Sequence, residues 1–244
     1  GDDAEHLGWL PPVFPRNVRL VVSTLPGPAM DALQRRDWME RTEPLTVQPL
    51  TRDERSDVAR QFLAAYGREL SPSLLDRVVA AGQTANPLFL RVMLDELRVI
   101  GEHRNLGEQV DAYLTCPDPA GLYIQVIARW IRAYSEDRDL VAGSLRLLSL
   151  SRRGLSEAEL LDLLGDERGP LPRAALTPFL LAAEGALSWR HGLLRFSHEH
   201  LRQAVDEAVF EAGVPRTSFH EVLADYFSSE GRIGPRQLEE LPWQ

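Results

Sequence analysis

The chain has 244 residues, 44% hydrophobic and 26% charged, with a net charge of −9; it is long enough for two or three small domains with ordinary globular composition. The acidic balance argues against nucleic acid or an anionic membrane surface as the main partner. A single Cys116 excludes an internal disulfide framework and fits a reducing compartment, no run approaches the ~18 apolar residues of a membrane span, and the acidic, polar start Gly1–His6 is no signal peptide, so the expected location is cytoplasmic.

Asn17–Thr24 is a β-branched, nearly continuous apolar run that stops at Leu25-Pro26-Gly27-Pro28. It predicts a strand covered on both faces, and Leu45–Leu50 predicts a second. Two strands cannot make an independent sheet, so this part reads as the tail of a larger α/β domain. From Thr51 the chain turns helical. Thr51 with Glu54 forms a capping box, Gly67 closes that helix, and Val58, Phe62 and Tyr66 fall on one face. Ser71-Pro72 starts a helix ending near Gly82; Asn86-Pro87 starts another that runs to Gly101; Leu106–Leu114 is a short one. Cys116-Pro117-Asp118-Pro119 breaks helices and is the best internal linker. Gly121–Tyr134 and Leu140–Leu150 are further helices, and a last one covers Thr217–Ser228. Both ends read as cut: Asp2-Asp3 opens in a loop, and Glu239–Trp243 reads like the start of something further.

Gly154–Phe210 is the most informative stretch. A short helix follows Gly154-Leu155-Ser156-Glu157, and an apolar helix follows Pro172. A hairpin then runs through Leu187–Trp189, the turn Arg190-His191-Gly192, and Leu193–Phe196 into a helix after Ser197-His198. Helix, helix, hairpin, helix is a winged-helix order. Duplex binding requires lysine and arginine against phosphates, yet this stretch holds five arginines and nine acidic residues. The helix that would enter a groove, Pro172–Leu181, carries one charge and reads as buried. Packing against a neighbouring domain is therefore the better use of this fold.

No Walker A loop, HExxH, CxxC or nucleophile elbow is present. His191, His198, Glu199 and His200 invite a metal reading, but two histidines one residue apart at a helix start diverge, so no metal is expected. Arg19, Arg152 and Arg153 read as solvated or ion-paired, and Trp189 with Phe196 as cross-hairpin core.

Several stretches together resemble the STAND NTPases, the NACHT-like signalling ATPases, and most nearly their nephrocystin-3-like and telomerase-associated-protein-like group. These are Leu10-Pro11, Phe14-Pro15 with Asn17-Val18-Arg19, Val22-Ser23-Thr24-Leu25-Pro26 and Asn86-Pro87-Leu88-Phe89-Leu90. Further along come Ser151-Arg152-Arg153-Gly154-Leu155-Ser156-Glu157 with Glu159-Leu160, then Leu194–His198, and finally Glu240-Leu241-Pro242-Trp243, which resembles the hand-over to that group's repeat region. The resemblance implies a mainly α fold: residues 1–50 as the end of an α/β P-loop NTPase core with two strands, 51–115 as a helical subdomain, 118–212 as a winged-helix domain, and 213–244 as the start of a following helical or repeat region. Walker A and B elements, with the magnesium, would belong to a preceding part of a longer protein, and the chain alone would not hydrolyse ATP.

What the resemblance implies for single residues stands beside a plainer reading of each. Ser23 and Thr24 take the place of a sensor segment near the γ-phosphate, or are turn hydroxyls at a strand end. Many NACHT proteins carry arginine where this chain has Leu25. Pro87 takes the place of the proline that packs on adenine, and is also a favoured first helical residue. His198 takes the place of the histidine that reaches the β-phosphate of ADP and locks the resting state. Its plainer reading is a half-buried imidazole satisfied by a carbonyl, and His200 is its rival. The implied function is a regulatory part of an ATP/ADP switch, partnered by the rest of its NTPase domain. It would self-associate on activation and respond to a protein or ligand sensed downstream. The alternative is a non-enzymatic interaction module with no nucleotide.

Overall fold

The computed structural model describes residues 7–11, 13–36, 45–99, 106–134, 139–210, 213, 215–229 and 234–244. They form two compact units, Gly1–Gln48 and Pro49–Gln244. Among the described residues there are twelve α-helices and one two-stranded antiparallel sheet.

In the first unit, helix α1 (Pro28–Gln34) buries Leu33 against Leu7 and Leu10. The two strands expected at Asn17–Thr24 and Leu45–Leu50 do not form. Val21 is 95% exposed, and Leu45 and Val47 are exposed as well. A strand exists only through the ladder it shares with a neighbour; among the described residues neither run forms one, and the bond from Leu50 N–H to the Ala85 carbonyl at 2.9 Å does not make a ladder.

The second unit holds one continuous core. Its helices are α2 (Arg52–Ala64), α3 (Pro72–Ala80), α4 (Pro87–Val99), α5 (Leu106–Leu114), α6 (Pro119–Tyr134), α7 (Leu140–Leu150), α8 (Glu157–Leu163), α9 (Arg173–Ala182), α10 (Glu199–Phe210), α11 (Arg216–Ser229) and α12 (Pro235–Glu240), with strands β1 (Leu187–Arg190) and β2 (Leu193–Phe196) before α10. The Thr51–Glu54 capping box is present in both halves. The inward face of α2 is Arg55, Ala59 and Leu63, however, while Val58 and Tyr66 are exposed. Phe62 and Tyr66 lie under the guanidiniums of Arg91 and Arg98, at 4.5 and 4.7 Å; Phe62 also packs partly buried against the core, while the exposed Tyr66 ring has its cationic cover instead. The expected stop of α4 at Gly101 lies outside the described residues. Cys116 and Pro119, at the break, are buried in the core.

α6 and α10 pack along each other, with α4 against α6 and α7 against α10. A buried polar knot ties α4 to α5 and α6. Glu96, 2% exposed, accepts from Tyr113 Oη at 3.2 Å and from Arg129 Nη2 at 2.9 Å. Burial first, and then the Glu96 charge, pushes the Tyr113 phenol well above its ordinary value.

Past α7 the chain turns at Ser151–Gly154. Leu155 exchanges both backbone hydrogen bonds with Leu194 of β2, at 3.1 and 2.7 Å. Gly154 makes that approach possible: at φ +93° a Cβ there would stand 2.2 Å from the Leu194 carbonyl oxygen. The hairpin turns on His191 and Gly192 alone, both left-handed at φ 52° and 77°, the two-residue connection that matches strand twist. Two expectations fail here. Of the two residues expected as cross-hairpin core, Phe196 packs partly buried against the core, but Trp189, opposite Leu194, is 51% exposed; a four-residue ribbon has too little second face to cover an indole. The helix read as buried, α9, sinks only Leu176 and Phe179, leaving Leu181 63% exposed.

Candidate functional site

Pro87 opens α4 as its first residue and is exposed, while Asn86 Oδ1 accepts from the N–H of Leu88 at 2.9 Å and of Phe89 at 3.4 Å. The free amides of this helix start are thus satisfied by its own side chain. What Pro87 offers a ligand is an apolar ring rather than an anion cradle.

His198 immediately precedes α10, and its carbonyl accepts from Leu201 and Arg202 at 3.2 and 3.4 Å. Its side chain is exposed and has no hydrogen-bond partner among the described residues. Partial withdrawal of the ring from water, and then the charge of His200, lowers its pKa from the ordinary histidine value. The free protein therefore presents a neutral imidazole near pH 7, with one N–H to donate.

These two elements meet. Leu88, the residue after Pro87, lines one narrow crevice with His198, along with Arg91, Asp95, Tyr123 and Trp130. The crevice encloses about 30 Å³, room for a water or two. Tyr123 Oη and Trp130 Nε1, both buried, have no hydrogen-bond partner there. Asp95 comes so near the hairpin side that a Cβ on Gly185 would meet its Oδ2 at 2.5 Å. Ser23 and Thr24 belong to the other unit; both are exposed, and Thr24 Oγ1 donates to the Leu25 carbonyl at 3.1 Å. Among the described residues no three His, Cys, Asp or Glu side chains gather as metal ligands, and no helix is long and apolar enough to cross a membrane.

The other side of His198 faces a second cleft. It is formed by the Ser151–Gly154 turn, the end of β2 and the start of α10, and it is lined by Arg152, Arg153, Arg195 and Arg202. Arg152 and Arg153, expected to be solvated or ion-paired, thus share a cleft with Arg195 and Arg202. They are up to fifty positions apart in sequence, and no local pattern signals their convergence.

The nephrocystin 3 helical domain matches residues 69–209, more than half of the chain. A TPR repeat-containing protein of Dictyostelium discoideum is 26% identical over the whole of it. Human nephrocystin-3 is 26% identical over 98% of it, and the human NACHT and WD repeat domain-containing protein 2 is 26% identical over 93%. The chain spans only 14 to 18% of the length of these relatives. No solved structure matches it at a significant level. With helices α3 to α9 and all but the last residue of α10 inside the matched region, the chain belongs to the nephrocystin 3 helical-domain family.

Proposed function

We propose that Pro49–Gln244 is the helical and winged-helix part of a STAND-type nucleotide switch, and that His198 and Pro87 are its contacts to ADP in the resting state. The observation that carries the reading is the shared crevice: Leu88, next to Pro87 at the start of α4, and His198 line one opening. At about 30 Å³ the crevice itself holds no nucleotide, so the diphosphate would lie across its mouth. The exposed Pro87 ring would take the adenine face and the neutral imidazole would donate to a phosphoryl oxygen. A ligand that touches both walls favours whichever arrangement keeps them together.

Further support comes from the element order α7, Leu155 bridge, α8, α9, hairpin, α10, which is that of a winged helix. Relatives bearing NACHT domains also match nearly the whole chain. The exposed apolar run Val18–Val22 suits a sheet strand whose neighbours lie in a preceding NTPase core; Ser23 and Thr24 at its end would be sensor hydroxyls, and ATP exchange would lead to self-association. Magnesium would be held by that core. Mass spectrometry of nucleotide co-purifying with the longer protein tests the reading: His198→Ala should lose ADP, and unchanged retention would overturn it.

A non-enzymatic interaction module is the second reading. It is favoured by the half-exposed apolar pair Leu181 and Trp189 on α9 and the hairpin, and it predicts no co-purifying nucleotide at all.

A further inference from the structure

Four guanidiniums from three separate elements line one cleft of about 190 Å³: Arg152 and Arg153 from the turn after α7, Arg195 from β2 and Arg202 from α10. Glu199 is the single acidic residue of that lining. This stands out in a chain of net charge −9. The charges are held in place mostly by neutral acceptors. Arg195 Nη2 donates to the Arg153 carbonyl at 3.3 Å, Arg202 Nη1 to the Ser149 carbonyl at 3.2 Å, and Arg152 Nη1 to the Glu239 carbonyl at 3.2 Å. Arg153 alone has a close carboxylate, Glu239 at 2.8 Å; the Arg202–Glu199 pair is stretched to 3.8 Å. Arg152 and Arg195 have no carboxylate of the described residues within ion-pair distance.

Carbonyls orient a guanidinium without neutralising it, so Arg152 and Arg195 keep their charge beside the paired Arg153 and the loosely paired Arg202 and focus field into the concavity. Arginine's planar fork suits phosphoryl oxygens. We propose that this cleft binds a small phosphoryl anion, a diphosphate group, at a site distinct from the crevice between α4 and His198. The volume selects the ligand: 190 Å³ lies below the roughly 300–1,000 Å³ of pockets that engulf a drug-sized molecule, so the cleft takes a head group and leaves any nucleoside outside. A duplex needs a long basic stripe making about six to ten phosphate contacts, and the chain's net charge of −9 opposes so large a polyanion. The site is stiff, because the N–H groups of Arg152 and Arg153 are anchored to the buried Glu240 at 2.8 and 3.2 Å. The assignment does not depend on the nucleotide reading, and His198, which borders both openings, is left unchanged in its test.

Sodium pyrophosphate titrated calorimetrically into the 244-residue chain at about 50 mM salt, where surface charges are weakly screened, should bind saturably. Arg152→Gln/Arg195→Gln strands no carboxylate and should weaken binding roughly tenfold or more, the equivalent of one lost charge-assisted bond. Arg52→Gln, the same charge removed singly from the exposed start of α2, should leave affinity unchanged. ADP distinguishes the sources: affinity equal to pyrophosphate assigns the site to the free anion and tighter binding to a nucleoside diphosphate, the double variant losing both. In wild type, pyrophosphate should shift the amide signals of residues 151–154 and 195–199, a readout independent of any variant. No saturable binding, shifts elsewhere in the chain, an equal loss in Arg52→Gln, or a DNA duplex displacing pyrophosphate at equal phosphate concentration would each overturn the proposal.

Discussion

Glu240, fully buried in α12, accepts the backbone N–H of Arg152 through Oε2 at 2.8 Å and that of Arg153 through Oε1 at 3.2 Å. The same carboxylate pairs with Arg236 at 3.2 Å, and Arg236 in turn reaches Glu159 of α8 and the Gly154 carbonyl. Trp243 Nε1 adds a bond to the Leu150 carbonyl at 3.0 Å. The end of the chain is thereby fastened to the turn that carries half the arginine cleft.

Replacing Glu240 with Gln keeps the shape but turns one acceptor into a donor facing an N–H and removes the charge opposite Arg236. A loss of about 2–4 kcal/mol is expected in urea unfolding. Glu239→Gln, about one-third exposed, should cost under about 1 kcal/mol. Equal effects from the two would contradict the burial argument.

Gly154→Ala combines a left-handed backbone with a Cβ placed against the Leu194 carbonyl. It should cost about 2–4 kcal/mol and loosen the hairpin. Gly169, at φ +128° with nothing within 4 Å of a Cβ, isolates the strain alone, and its Ala variant should lose about 1 kcal/mol. Thermal melts of the pair check the difference.

Arg129→Met leaves Glu96 buried without its cation and should cost about 3–5 kcal/mol. The double change Glu96→Met/Arg129→Met removes the orphaned charge and leaves neutral hydroxyls, those of Tyr113 and Tyr134, to lose a partner, so it should be no worse than the single one. A double variant markedly less stable than Arg129→Met would show that the knot contributes net stability.

Because the His198 pKa is lowered in the folded chain, the unfolded chain binds more protons as pH falls below about 6.5, the ordinary imidazole value. Stability from this group is therefore present above that value and declines as pH drops toward the folded pKa. Imidazole proton NMR should place the His198 midpoint below that of a free histidine, and His200→Gln should move it upward. A midpoint at or above the free value would refute the assignment.

Where an element is decided within a turn or two of its own residues, it was legible. The Thr51–Glu54 box, the proline starts at Pro72 and Pro87 and a tight turn at His191-Gly192 are all present, the turn one residue shorter than expected because Arg190 ends β1. The strands expected at 17–24 and 45–50 do not form, because a short apolar run reports a readiness to pair and not the partner. The face of α2 was misread because Val58, Phe62 and Tyr66 satisfy helical periodicity as well as Arg55, Ala59 and Leu63 do; only the neighbouring helices choose between them. The short α1, Pro28–Gln34, was not expected at all.

The amino-acid sequence by itself determined the helical character, the order of elements and the hairpin, since capping, φ restriction and i to i+4 bonding act over a few residues. Only the tertiary structure decided that Leu88 and His198 face one crevice, and that Arg152, Arg153, Arg195 and Arg202 share another. It also decided that Glu240, an ordinary surface residue by composition, is buried. The net charge of −9 concealed that cluster because charge is summed along the chain, whereas a field is set by distance in space.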